Sequence, residues 1–206
     1  SIFKIDTENN NAVELFAMGI RNSFGLAVDP ITGYLWDTDN GPDRFDEINL
    51  VKPGFNSGWD IAMGPISDNG FTHFISQPFE NFEYSDPEFS WRETVGPTAI
   101  AFPSLTGFER YSDWLFVGDF HNGRIYNFQL NSDRTGFVFS DPGLSDLLLI
   151  DGDKTDEILF ASDFQGVTDI KFHDGAMYVV SIGDGSIYKI YPKKPLPPLK
   201  QYQNGV

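Results

Sequence analysis

Five carboxylates fall within eleven residues of this chain: Asp37, Asp39, Asp43, Asp46 and Glu47, interleaved with Asn40, Gly41 and Pro42. Hard cations such as Ca²⁺ take mixtures of carboxylate and carbonyl oxygen, and this run is rich in both and poor in side-chain bulk. Glycine lets the backbone approach a ligand closely, and proline fixes φ so that neighbouring carbonyls point one way. The same run also reads as a solvated acidic turn, and residue types alone leave the two open. A second acidic stretch, Asp151-Gly152-Asp153-Lys154-Thr155-Asp156-Glu157, lacks the order of ligands that an EF-hand loop needs and reads as a solvated turn. With no cysteine in the chain, thiol nucleophiles, disulfides and thiolate metal sites are excluded.

The charge balance excludes more. Lys and Arg total 14 against 30 acidic residues, for a formal net charge of −16, which rules against a phosphate-neutralising nucleic-acid partner. No apolar run approaches the roughly 20 residues of a membrane-spanning helix, so no membrane insertion is expected. Asp supplies 21 of the acidic residues, beside 20 Gly and 13 Pro. Asp, Gly and Pro favour turns over helices, and the composition predicts short strands joined tightly.

The elements that must position the acidic run follow the same logic. Period-2 alternation broken by turn dipeptides is the pattern of antiparallel sheet. Asn122-Gly123, Asp174-Gly175 and Asp184-Gly185 each stand between a pair of such runs, and all three dipeptides tolerate the positive φ of a two-residue hairpin. A repeat is visible in Ser1-Ile2-Phe3-Lys4-Ile5, Arg124-Ile125-Tyr126-Asn127-Phe128 and Ser186-Ile187-Tyr188-Lys189-Ile190, with Asp46 to Leu50 in the same slot. The last three are each preceded by strand, turn and strand. An irregular repeat of three or four strands reads as a β-propeller; the alternative, a sandwich of unrelated strands, leaves the repeated preamble without a reason. The expectation is an all-β sector of about three blades over residues 1–191, each a four-stranded antiparallel sheet, with an orphan strand at 1–6. Residues 192–206, with Pro192, Pro195, Pro197 and Pro198, form a Pro-rich tail. Lys52 to Gly96 interrupts the repeat with Trp59, Phe71, Phe74, Phe79, Phe82, Tyr84, Phe89 and Trp91; it reads either as a wall of a ligand site or as a self-packed loop.

One set of residues carries a family resemblance. Gly19-Ile20-Arg21-Asn22-Ser23-Phe24-Gly25-Leu26-Ala27-Val28-Asp29-Pro30 runs through Gly33 to Leu35-Trp36. It is followed by Asn40-Gly41-Pro42, Asp46-Glu47-Ile48-Asn49-Leu50, Pro53-Gly54, Asn56 and Gly58-Trp59. Together these resemble the soluble glucose and sorbosone dehydrogenases that depend on pyrroloquinoline quinone (PQQ). The later Leu115 to Phe120 with Gly123 to Tyr126, and Asp169-Ile170 with Tyr178-Val179, fit as well. The likeness covers nearly the whole chain but the C-terminal half of a family member, so the sector is half of a six-bladed propeller.

The resemblance implies that the carbonyls of Gly41 and Pro42 hold Ca²⁺, and that Arg21, Asn22, Asn40, Thr98 and His121 bind PQQ. Arg21 then also stabilises the oxyanion that develops as the quinone takes up hydride. The reaction implied is oxidation of an aldose at its anomeric carbon, and the partner a sugar substrate. The family's histidine base belongs to the half not covered here, and none of His73, His121 and His173 matches its context. Phe24 stands where the pocket would have a polar side chain, and Phe164 to Asp169 offers no arginine. The alternative is a calcium- and carbohydrate-binding propeller of the same family without redox chemistry. The resemblance also implies an extracytoplasmic location, and a homodimer or a separate N-terminal half that completes the ring.

Overall fold

The structure, a computed structural model, describes residues 1–69, 81–103, 106–153 and 155–192. Phe71, His73, Phe74, Phe79, Lys154 and the tail beyond Pro192 lie outside the described residues. The chain opens with β1 (Ile2–Asp6) and β2 (Ala12–Met18), an antiparallel pair. Asn10 and Asn11 turn the chain between them at φ of 54° and 57°, a left-handed pair that asparagine tolerates. Then come β3 (Ser23–Val28), β4 (Leu35–Asp39) and β5 (Arg44–Val51), an antiparallel meander. Two short strands, β6 (Phe55–Asn56) and β7 (Glu83–Tyr84), return to the first sheet as parallel additions to β2. β8 (Phe89–Glu93) adds antiparallel to β5.

The third sheet is formed by β9 (Pro97–Ala101), β10 (Trp114–Asp119) and β11 (Ile125–Gln129). The chain then crosses back so that β12 (Leu148–Leu149) lies parallel to β8 of the second sheet, before β13 (Leu159–Ala161) closes the third. The fourth sheet is β14 (Val167–His173), β15 (Ala176–Ser181) and β16 (Ser186–Ile190). The expected Asn-Gly and Asp-Gly turns stand between β10 and β11, β14 and β15, and β15 and β16.

The blades differ from the expectation in three ways. The strand at 1–6 is not an orphan, since β1 pairs with β2 along its length. The second sheet has five strands and the fourth has three. β8 was hidden in the aromatic-rich interruption, and its Phe89 and Trp91 are core residues rather than loop.

Period-2 side-chain alternation lets the second and third sheets bury both faces against their neighbours. Val51, with half-buried Leu35, meets Ala17 and Phe55 of the first sheet and Ile20 of the β2–β3 connection. On the opposite face Trp36, Ile48, Phe89 and Trp91 pack against Ile100, Leu115, Val117, Tyr126 and Phe128. Phe116 and Ile125 point the other way, onto Val167, Ile170, Met177 and Val179 of the fourth sheet. β9 lies between β3 and β14, so the first strand of each unit is the inner one. This is the stacking of a propeller sector, all-β apart from short helical turns.

One buried ion pair ties neighbouring blades. Arg134, beyond β11, donates through Nε to Asp29 Oδ2 at 2.6 Å and through Nη2 to Asp29 Oδ1 at 3.0 Å. Asp29 sits in the β3–β4 turn and also accepts from Ile31 N and Thr32 Oγ1. Burial alone would raise the Asp29 carboxyl, but these donors outweigh it and hold it below the usual range.

Candidate functional site

The β2–β3 connection, the β4–β5 loop and the β8–β9 loop come together at one end of the second sheet, and buried carboxylates join them. Asp39, the last residue of β4, accepts from the backbone of Arg21 at 2.9 Å and of Asn22 at 2.6 Å. Asp46 on β5 accepts from Gly41 N at 2.9 Å through one oxygen, and from Val95 N at 2.6 Å and Gly96 N at 2.8 Å through the other. Both carboxylates are fully buried. Burial raises both, and the backbone donors oppose that rise by stabilising the charged form.

Four of the five clustered carboxylates are therefore neither solvated nor arranged as ligands. Asp37 accepts from Ser23 Oγ, with its other oxygen unpartnered, and burial pushes its carboxyl up to about 8. Glu47 accepts from Gly64 N at 2.5 Å, Ser57 Oγ at 2.9 Å and Asn49 Nδ2 at 3.1 Å, and burial pushes it up to about 7. Only Asp43 is exposed. Among the described residues no three carboxylates or histidines gather in a metal-binding arrangement.

The structure brings together some of the residues named from sequence. Gly41 and Pro42 lie in the β4–β5 loop, outside both ladders. A Cβ at Gly41 would collide with the carbonyl oxygens of Arg44 and Phe45, so the turn admits only glycine. Arg21 is exposed; its Nη1 donates to Asn40 O at 2.7 Å and its guanidinium lies 5.6 Å from the centre of the Trp59 ring. Asn22 is exposed beside it, and its carbonyl accepts from Asn40 N at 3.2 Å. Asn40 directs its amide to the carbonyls of Asn22 and Pro97 at 3.3 and 3.1 Å, bracing β3, β4 and β9.

Thr98 and His121 hold different places. The Thr98 hydroxyl donates to the carbonyl of Val167, with that of Gly118 at 3.4 Å, and so links the third and fourth sheets. His121 is exposed on the β10–β11 turn. Its backbone donates to Val95 O at 2.9 Å and its Nδ1 lies 3.1 Å from Thr94 O, which seats the ring against the β8–β9 loop. Asp119 shapes this turn by accepting from Asn122 N at 2.7 Å. Asp46 thus holds Gly41 on one side and, on the other, the β8–β9 loop against which the backbone of His121 rests.

Outside this cluster opens a cleft of about 640 Å³, bordered by Pro42 to Phe45, Trp59 to Met63, Arg92 and Glu93. Sequence reading did not identify Arg44 or Arg92. They stand far apart in the chain, and the antiparallel pairing of β5 with β8 brings Arg44 opposite Glu93.

The chain was compared with known proteins. A profile of the family described as Glucose / Sorbosone dehydrogenase matches residues 4–189. The chain is 28% identical over 139 residues to the aldose sugar dehydrogenase YliI of Escherichia coli (strain K12), covering 66% of this chain and 38% of that protein. It is 38% identical over 74 residues to quinoprotein glucose dehydrogenase B of Acinetobacter calcoaceticus, or 35% of this chain and 15% of that one. A crystal structure of a glucose dehydrogenase superposes with a TM-score of 0.62 at 22% identity, over 91% of this chain and 49% of the other. The PQQ-bound aldose sugar dehydrogenase of Streptomyces coelicolor does so with a TM-score of 0.54 at 21% identity, over 83% and 40%. The chain thus spans half or less of the length of these relatives, and the structural likeness shows the fold. With the matched profile running through all four sheets and the loops between them, the chain belongs to the glucose/sorbosone dehydrogenase family.

Proposed function

We propose that this chain carries the calcium- and quinone-binding region of a sugar dehydrogenase that oxidises an aldose at its anomeric carbon. The observation that supports this reading is the meeting of Arg21, Asn22 and the Gly41-Pro42 turn, held by Asp39 and Asp46, within a family of sugar dehydrogenases. The donor set fits the group. Gly41 and Pro42 present carbonyl oxygen free of strand pairing, a hard ligand suited to Ca²⁺, and the exposed guanidinium of Arg21 stands beside them.

The chemistry that bound PQQ with its Ca²⁺ supplies is hydride acceptance at a polarised quinone carbonyl. Arg21 would place fixed positive charge beside that carbonyl, and Asn40 O and the Trp59 ring hold its guanidinium in position. Gly41 and Pro42 would hold the metal through their carbonyl oxygens. Exposed Asn22 and His121 would meet the quinone's polar groups, with the His121 Nδ1 already beside the Thr94 carbonyl. Asn40 and Thr98 act as braces, their polar atoms joined to main chain. The base that takes the sugar hydroxyl proton belongs to the region of the protein this chain does not span. That region would complete the ring, as a preceding segment, a separate half or a second copy, and the whole would work outside the cytoplasm.

A second reading, a calcium- and carbohydrate-binding propeller without redox chemistry, is favoured by the same engagement of Asn40 and Thr98, which turns two predicted cofactor contacts inward. Calorimetry with Ca²⁺ tests the common core. Specific binding that Mg²⁺ does not reproduce is expected, because Mg²⁺ demands a tighter octahedron; equal or absent heats overturn the site. Titration of the Ca²⁺-loaded chain with PQQ separates the readings, since a non-redox binder leaves the quinone absorbance unchanged.

A further inference from the structure

We propose that Asn122-Gly123, at the tip of the β10–β11 turn, is a site of spontaneous modification. There the folded chain converts its own asparagine to aspartate and isoaspartate, and the conversion weakens the cofactor site beside it. The covalent change stands without any reading of function, whereas its effect on the site rests on the proposed quinone binding. The Gly123 nitrogen, once its proton is lost to hydroxide, attacks Asn122 Cγ. A new C–N bond forms, the bond from Cγ to Nδ2 breaks, and Nδ2 leaves as ammonia with a proton from solvent. The cyclic imide then takes up one water. Opening at one carbonyl gives aspartate; opening at the other gives isoaspartate, whose main chain runs through the former side chain. Glycine permits the attack because no Cβ obstructs the approach.

Two Asn-Gly dipeptides lie wholly within the described residues, and the structure treats them differently. In Asn40-Gly41 the side-chain amide donates to the carbonyls of Asn22 and Pro97 at 3.3 and 3.1 Å. The Gly41 N–H is taken by Asp46 Oδ1 at 2.9 Å. Leaving group and nucleophile are both tied down. Asn122 is exposed, and its amide reaches only Asp119 Oδ2, at 3.4 Å. No acceptor among the described residues takes the Gly123 N–H. The same dipeptide is thus shielded in the metal loop and left open at the turn.

The products alter a crowded place. A new carboxylate would face that of Asp119, where an amide now donates to it, and it would stand next to His121. Negative charge there opposes the carboxylates of the quinone. Isoaspartate lengthens the main chain of a turn that has no slack. A Cβ on Gly123 would already meet the carbonyl of Phe164, and Phe120 N and His121 N donate to Gly96 O and Val95 O. The lengthened turn therefore pulls on the β8–β9 loop that Asp46 holds.

The test incubates the full chain at mildly alkaline pH, folded and in urea, and digests it with trypsin. Cleavage after arginine places Asn40 in the peptide 22–44 and Asn122 in the peptide 111–124, so mass spectrometry reads both from one sample. An isoaspartate methyltransferase assay separates the two products. In the folded chain Asn122 is expected to react about tenfold faster than Asn40, the kinetic weight of one charge-assisted hydrogen bond that must open first. In urea the two should react alike. An Asn122 that stays unmodified, or an Asn40 that reacts as fast in the folded chain, overturns the proposal. Asn122→Asp mimics one product and should weaken PQQ uptake by the Ca²⁺-loaded chain about two- to fivefold, the range of one exposed charge pair. Asn122→Gln, which keeps the amide, should leave uptake unchanged, and unaltered melting curves show that both variants are folded. Equal uptake by Asn122→Asp and the unmodified chain overturns the effect on the site. A chain that is modified at Asn122 yet takes up PQQ in neither form refutes the quinone reading and leaves the modification standing.

Discussion

Asp46 is the residue on which most of the candidate site hangs, because it is fully buried and receives three backbone N–H groups from two loops. Asp46→Ala leaves three donors without a partner, and each buried unsatisfied group costs about 1–3 kcal/mol. A loss of roughly 3 kcal/mol or more in urea unfolding is expected, with weaker Ca²⁺ binding, since Gly41 is released. Asp46→Asn, which keeps one acceptor oxygen, should lose about half as much; full stability in the alanine variant would contradict the clamp. Glu47 and Asp37 carry a pH prediction. Burial raises both carboxyls, to about 7 and about 8, so between their ordinary values and these the folded state binds protons that the unfolded state has lost. Stability falls as pH rises through that window, and mutual repulsion in a chain of net charge −16 acts in the same direction. The melting temperature should drop between pH 5.5 and 8.5, and Glu47→Gln should shrink the drop; a flat profile would show that both groups titrate normally. These residues also mark a limit of legibility. That Asp39, Gly41 and Asp46 share one acidic run was readable, and its spacing left a cation loop and a solvated turn open. That the carboxylates are anchors rather than ligands was not, because their donors at Arg21, Asn22, Val95 and Gly96 are distant in sequence.

Among the elements, the strands with turn dipeptides were readable because Asn-Gly and Asp-Gly supply a conformation few other pairs tolerate. β2 was missed although Asn9-Asn10-Asn11 carried a related signal, with Asn10 and Asn11 both at positive φ. β8 was missed because a strand buried on both faces, here Phe-Ser-Trp, does not alternate apolar with polar. β12, two residues long, owes its pairing to the neighbouring sheet rather than to local pattern. The Asp29–Arg134 pair tests how firmly blades are tied. Removing one member of a buried pair leaves an uncompensated charge, at a cost of about 3–5 kcal/mol. Arg134→Ala should lose that much, while Arg134→Lys, with a point charge in place of a fork, should fall between. A change under 1 kcal/mol in the alanine variant would mean that the ion pair adds little to the other contacts joining the second and third sheets.

At the scale of the molecule, the terminal sheets are unlike the interior. Phe3, Ile5, Val13 and Leu15 on β1 and β2, and Ile187 and Tyr188 on β16, are exposed, and β1 and β16 are edge strands. Apolar, unpaired strand edges favour association, and salt screens the opposing surface charge beyond about 8–10 Å. In sedimentation at physiological salt the chain should exceed its monomer mass of 23.2 kDa; a stable monomer with cooperative unfolding would show that the sector stands by itself. The path of β12 has a different consequence, for ancestry. Propeller blades are commonly pictured as cassettes, copied or lost whole as a ring grows or shrinks. Here the chain leaves the third sheet after β11, lends two residues to the second through Leu148↔Ser90 and Leu149↔Trp91, and only then returns to close its own sheet with β13. Excising residues 97–161 would remove one blade and also strip the edge from the one before it. A duplication of the same stretch would bring a lent strand with no sheet waiting for it. The boundary between the two blades is therefore a poor place for recombination to cut.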